Sequence, residues 1–410
     1  MKKVLINDFK YDGTTIKKLD VFMDDNGDVV LLPTLFTVFL RLHQVVYKKK
    51  ITINSLRNTE EELVKVPIAE VTLDQYVNYL LKYFQFIEDS ASQVTKDVSV
   101  HMNETVSEEF INYYVNDILV QSEGAGHSSI KGTISAILSY YNWLAYGNLS
   151  SIRKIYLEPA NRETVARNTK LKQSMKYIST HGRFEILKKC SSLRDELLIC
   201  NGYQVGLRSK ENCGILLSDF TYNHVRKKGL LSLFDELKRD NSKQVFEYFL
   251  AGKYSKGTRN NGKGGRSRNI YFSRQLLERM REYYLVERAE IMEKNGLSHD
   301  VFFVKNDSVT AGEPIKNNTA TNCFRVLKQG ISCIGYDNSY HDLRHSFGTD
   351  LFHQEIGDEP ATQIGFNHPA ILTVAKRLGH AIDTSKAMAK VTYEYVRLHS
   401  EMVFVEGLAC

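Results

Sequence analysis

Repeated helical spacing of large apolar residues is the strongest constraint on this chain. Leu73, Tyr76, Val77, Leu80, Phe84 and Ile87 recur at intervals of three and four, and Ile130, Ile134, Ile137, Leu138, Tyr141 and Leu144 do so again. Each set forms one stripe on a helix, and such a stripe must be buried against a neighbour. A further helix is expected from Ser107 through Phe110, Tyr114 and Ile118. Thr72 and Gln75 form a candidate capping box ahead of Leu73. Residues 71–160 therefore predict a compact bundle of about four helices. Aromatic side chains at this spacing belong in its core rather than on a base-stacking surface.

With 410 residues, two or three domains are expected. Residues 1–70 read as a mixed accessory region. In "LDVFMDDNGDVVLLP" two apolar runs flank Asp-Asn-Gly, a hairpin signal, and "TLFTVFLRLHQVVYKK" reads as helix. The polar, basic stretch 157–174 contains Pro159 and reads as exposed linker, with the linker proper at 161–174. Residues 175–410 form the last region.

Basic side chains exceed acidic ones by only 54 − 48 = 6, so the distribution of charge says more than its total. The six cysteines are irregularly spaced with no CxxC pair, which fits reduced thiols rather than a disulfide framework or a zinc site. No apolar run approaches the roughly 18 residues of a membrane span. A soluble, cytoplasmic protein is expected.

Charge concentrates in the last region. In "HDLRHSFGTDLFHQ", Leu343, Phe347 and Leu351 mark a buried helix face, while His341, Arg344 and His345 share another. A helix anchored on one side and cationic on the other suits an anionic ligand; a solvated surface helix accounts for the same pattern. "LRDELLICNGYQVGLRSKENCGILLSDF" reads as helix, glycine turn, helix. The turn at Gly206 puts Arg208 near free backbone N–H groups, a phosphate-binding arrangement, unless Arg208 simply pairs with Glu211. From Lys243 to Arg268 there are seven basic residues and one acid, Glu247, between the β-prone runs "VFEYFLA" and "RNIYF". Such a hairpin, carrying Lys253, Lys256, Arg259 and Arg266, fits a nucleic-acid groove, although basic loops are common. Val374, Leu378 and Gly379 end a helix on a glycine stop, with His380 just beyond.

The order of these pieces resembles the tyrosine recombinase (phage integrase) family over about residues 72–400. "GLRSKE" is similar to its first arginine box, "NGKGGRSRNIYF" to its lysine-bearing hairpin, "HDLRHSFGT" to its second box and "LGH" to its histidine turn. The resemblance implies a mainly α protein with a mixed α/β catalytic domain: a helical core-binding domain at 71–160, and a catalytic domain at 175–410 with a small β-hairpin or sheet and a C-terminal tail. It implies the catalytic set Arg208, Lys263, His341, Arg344, His380 and Tyr393. "TYEYV" matches the family ending with Tyr393 in the lead, although Tyr393 stands thirteen residues past His380, farther than is usual, so an insertion between Ala381 and Lys390 is expected. Tyr395 is the alternative.

The chemistry implied is attack by tyrosine, a weak nucleophile with a pKa near about 10, on a phosphodiester. The arginines grip nonbridging oxygens and Lys263 protonates the leaving 5′ oxygen. His341 handles the tyrosine proton, and His380 donates a hydrogen bond to the phosphate. No metal or cofactor is expected. The expected partners are double-stranded DNA at specific sites, three further copies of the chain, and possible accessory DNA-binding proteins; the tail "VRLHSEMVFVEGLAC" suits docking in cis or on a neighbour. The competing enzyme is a type IB topoisomerase, and a different class is an inactive DNA-binding regulator. A metal hydrolase built on His341, His345, His353, His368 and His380 is disfavoured, because no carboxylate stands at ligand spacing.

Overall fold

A computed structural model describes residues 1–53, 59–93, 99–169, 175–255, 265–360, 364–365, 368–380 and 386–407. The chain divides into two compact units, Met1–Leu171 and Lys172–Cys410. Both are mainly helical, and the named strands form only two-stranded antiparallel sheets. Among the described residues no helix is long and apolar enough to cross a membrane.

In the first unit β1 (Lys2–Tyr11) pairs with β2 (Thr14–Met23), α1 spans Leu31–His43, and β3 (Val45–Ile53) pairs with β4 (Thr59–Pro67). Two local expectations change here. The "LDVFM" run pairs with β1, and the Asp-Asn-Gly turn is closed by an isolated Met23–Val29 bridge and local hydrogen bonds rather than by a second strand. The helix does not continue into "VVYKK": Gln44 turns left-handed at φ 51° and caps α1, and the β-branched run that follows becomes β3.

Next come α2 (Glu70–Gln93), α3 (Glu108–Tyr113), a π-helical turn at Tyr114–Ser122, α4 (His127–Tyr146) and α5 (Arg162–Asn168). The first of these starts two residues before Thr72, so no capping box forms there. Its apolar stripe packs on that of α4 as the spacing demands. Phe84 and Tyr140 meet edge to face at 5.2 Å, and the buried hydroxyls of Tyr83 and Tyr141 bond at 2.9 Å. Phe22, Phe36 and Val46 from the N-terminal segment enter this same core. Within the stretch read as linker, α5 buries Val165, and Asn161 bonds Asn116 at its start.

The second unit contains α6 (Thr180–Lys188), α7 (Leu193–Gln204), a 3-10 turn at Ser209–Gly214, and β5 (Phe220–Tyr222) paired with β6 (Val225–Lys227). There follow α8 (Leu230–Arg239), β7 (Val245–Leu250) paired with β8 (Arg268–Ser273), α9 (Arg274–Leu285), α10 (Glu287–Asn295) and α11 (Thr319–Leu327). Last come α12 (Tyr340–Ile356), α13 (Pro369–Leu378) and α14 (Lys386–Gly407). The turn after Gly206 is the 3-10 segment rather than the full helix expected. In α12, Leu343 packs on α7 where Gly202 leaves room, and the Tyr340 hydroxyl donates to the Leu198 carbonyl at 2.9 Å. The final helix packs in cis: Leu398 and Met402 are buried, and Glu406 accepts from Tyr177 and twice from Thr180 at 2.8–3.0 Å. Val403 and Phe404 remain exposed.

Candidate active site

Two glycine turns and one helix converge. Gly206 (φ +72°) redirects the chain after α7 and presents Arg208; Gly379 (φ +67°) ends α13 and presents His380. Both backbones are left-handed, which a side chain would strain. At Gly206 an added Cβ would also collide with the Phe347 ring. Arg344, on α12, reaches between the turns and donates to the carbonyls of Gly206 and Leu378. Only 1% of its surface is exposed, so this member of the cationic face of α12 is sheathed rather than solvated. One guanidinium thus fixes the two turns that carry its partners.

A buried carboxylate lies beneath. Glu211 is the third residue after Arg208, and its oxygens accept five hydrogen bonds from three residues. The Arg208 backbone N–H and Nη1 donate at 2.8 and 3.0 Å, Ser255 Oγ at 2.8 Å, and Arg268 Nη1 and Nη2 at 2.9 and 2.8 Å. Arg344 Nη1 stands 3.5 Å away. Burial alone would raise the Glu211 pKa. The Arg268 guanidinium, then Arg344 and Arg208, outweigh it and hold the carboxyl well below its usual range. Burial opposes the charge of Arg344, lowering it to about 9, and Glu211 works against that shift, so the guanidinium keeps its charge at neutral pH. Arg208 is the more accessible cation, with 25% of its side chain exposed.

His341 is solvent-exposed at the start of α12, and its ring lies 4.8 Å from that of His345. The His380 ring is pushed down to about 3, first by burial and then by Arg344, Arg208 and Arg268, so it is neutral at pH 7. Its Nδ1 is buried with no hydrogen-bond partner among the described residues. Among the described residues, Tyr395 is the tyrosine of α14 that stands here. Its ring stacks on His380 at 6.2 Å, lies 6.0 Å from His345, packs against Gly348, and is 2% exposed. Burial raises its hydroxyl to about 12, against the pull of Arg344 and Arg208. The position of Tyr393 is within α14, but its side chain lies outside the described residues.

Lys263, Lys256 and Arg259 also lie outside the described residues; the flanks of their hairpin are defined. Lys253 is exposed, and Arg266 Nη1 donates to the His380 carbonyl at 2.9 Å, so this arginine is engaged at the histidine turn. The structure therefore brings together Arg208, Arg344 and His380, with His341 at the rim. Sequence reasoning missed Arg268, and treated Glu211 only as a surface ion-pair partner. The one sequence signal for either was the Arg-x-x-Glu spacing of "RSKE".

Side chains of this kind can grip a phosphodiester: two guanidiniums, one sheathed and one accessible, with neutral imidazoles nearby and a phenol on the adjoining helix. The family model described as "Phage integrase family" matches residues 167–381. The tyrosine recombinase XerC of Listeria monocytogenes serotype 4b (strain F2365) is 24% identical over 336 residues, covering 80% of this chain and 89% of that protein. XerC of Listeria monocytogenes serovar 1/2a (strain ATCC BAA-679 / EGD-e) gives the same figures. Among solved structures, the XerH site-specific recombinase bound to its difH substrate, a pre-cleavage complex, matches with a TM-score of 0.51 at 17% identity. That match covers 82% of this chain and 79% of XerH, and it speaks to the fold alone.

Proposed function

The chain belongs to the phage integrase family of tyrosine recombinases, and from that premise we propose that it is a site-specific DNA recombinase working through a 3′-phosphotyrosyl intermediate, in the cytoplasm and in the service of a mobile element. The observation that carries this is the convergence of the first arginine box, the second box and the histidine turn on Glu211 and Arg344.

Arg208 and Arg344 neutralise the nonbridging oxygens as charge builds in the transition state. His380 hydrogen-bonds the phosphate and His341 takes the tyrosine proton. Lys263 protonates the 5′ oxygen as it leaves, and Tyr393 is the nucleophile, on the strength of "TYEYV". The phosphotyrosyl bond conserves the energy of the bond it replaces, so religation needs no external energy source. Positions two apart on a helix face nearly opposite ways. Only one of Tyr393 and Tyr395 should therefore reach the phosphate, and Tyr395 is seated against Gly348. The helical bundle at 71–160 acts as the core-binding domain, and four protomers act on two DNA sites, with accessory proteins as possible helpers.

DNA captured as covalent adducts and sequenced would define the site. Two copies of that site should then recombine, whereas supercoiled DNA lacking it should stay supercoiled. Relaxation without the site would indicate a topoisomerase instead.

Two outcomes concern the hairpin. Neutralising Lys253, Lys256 and Arg259 together should flatten the slope of log affinity against log salt by up to about 3, because a phosphate that no longer meets a cation releases about one counterion fewer. An unchanged slope removes these residues from the DNA interface. A substrate with sulfur at the 5′ bridging position needs no protonated leaving group, so it should rescue cleavage by Lys263→Ala far more than by Arg208→Lys. Rescue of Lys256→Ala in its place would transfer the acid role to Lys256.

A further inference from the structure

Arg268 is the first residue of β8, is nearly buried, and joins three parts of the site that are distant in sequence. Its two terminal nitrogens grip Glu211, and its Nε donates to the Arg377 carbonyl at 3.1 Å in the last turn of α13. Its stem passes so close to Gly379 that a Cβ there would lie 2.9 Å from Cδ. Ser255, which also donates to Glu211, stands at the other flank of the same hairpin, and Arg266 holds the His380 carbonyl. The carboxylate that orients Arg208 is thus itself held by strand β8, and the same strand holds the turn that presents His380.

We propose that Arg268 is a positioning residue for DNA cleavage: it fixes Glu211 with a two-pronged bond and ties it to the histidine turn, so that Arg208, Arg344 and His380 meet one phosphate in register. The proposal rests on the recombinase function above. A lysine could supply the charge at this place, but not the planar fork or the third bond to Arg377.

A second consequence follows from the groups facing Glu211. These are Arg208 from its own turn, Arg268 from β8, and Arg344 and the Tyr340 ring from α12. Arg268 is the strongest of the influences that keep the carboxyl ionised against burial. Loss of its fork therefore loosens the carboxylate that orients Arg208.

The test uses the full chain and a nicked suicide substrate carrying its captured site. Arg268→Lys should bind that DNA within about threefold of the unaltered chain and yet cleave about 10²-fold more slowly, the size expected when catalytic groups shift by about an ångström. Glu211→Gln should also cleave slowly, and combining it with Arg268→Lys should cost much less than the product of the two losses. Arg268→Lys, which keeps the charge, is used in every comparison in place of Arg268→Ala, which would leave Glu211 short of its main partner. Cleavage by Arg268→Lys at the unaltered rate overturns the proposal; so does a loss matched by equal loss of DNA binding, or a double variant whose loss equals the product of the two single losses. If the unaltered chain forms no adduct, the recombinase function itself fails, which is a separate result.

Discussion

Tyr393→Phe is expected to abolish the denaturant-resistant protein–DNA adduct on a nicked suicide substrate, while Tyr395→Phe retains it. Each change removes one hydroxyl. At Tyr393 that oxygen is the nucleophile, and by comparison with other enzymes that pass through covalent intermediates its loss costs on the order of 10⁴-fold or more. DNA binding should persist, because many groups other than this phenol hold a duplex. At Tyr395 the ring does the work: it is 2% exposed and fills the space at Gly348 beside His380. Phenylalanine keeps that packing. Tyr395→Ala, which empties it, should lower the melting temperature and weaken the seat of α14 on α12. An adduct that survives Tyr393→Phe and vanishes with Tyr395→Phe would reverse the assignment.

Arg344 should prove costly in two ways at once. Arg344→Ala leaves the carbonyls of Gly206 and Leu378 without their donor in a buried place and takes one of the cations from beside Glu211. Removing one member of such a buried cluster destabilises by about 3–5 kcal/mol. Arg344→Lys keeps a charge but loses the fork, and cleavage should fall by roughly 10³-fold or more. Arg208→Lys is the contrasting case. Its side chain is a quarter exposed, so the same loss of cleavage should come with little change in melting temperature. Thermal unfolding of the three variants, measured beside their cleavage rates, separates the two effects. An Arg344→Ala protein that melts with the unaltered chain would contradict the buried clasp.

The contrast shows where one-dimensional reasoning ends. Helical spacing revealed α2, α4 and the buried face of α12, because an amphipathic stripe is a local pattern. The glycine stops at Gly206 and Gly379 were equally local, and they placed Arg208 and His380 correctly at turns. Burial of a polar group leaves no such trace. Arg344 looked like part of a surface face, yet it lies beneath two turns that come from residues 206 and 378. Glu211 three residues after Arg208 looked like an ordinary exposed pair, and nothing in "RSKE" reveals Arg268 converging on it from β8. The helix-to-strand change at Gln44 failed for another reason: apolar "VVY" fits either period, and a left-handed backbone at Gln44 decided it. The π-helical turn at Tyr114–Ser122 was hidden likewise, since its spacing reads as an ordinary helix.

The most direct test is to trap the unaltered chain on its DNA under denaturing conditions, digest both, and identify the linked peptide and the polarity of the linkage. The expected product is a peptide from α14 joined through Tyr393 to a 3′ phosphate, leaving a free 5′ hydroxyl on the departing strand. Absence of any covalent product from a folded, DNA-binding protein, or a linkage to a 5′ phosphate, would contradict tyrosine-recombinase chemistry at the Arg208–Arg344 centre.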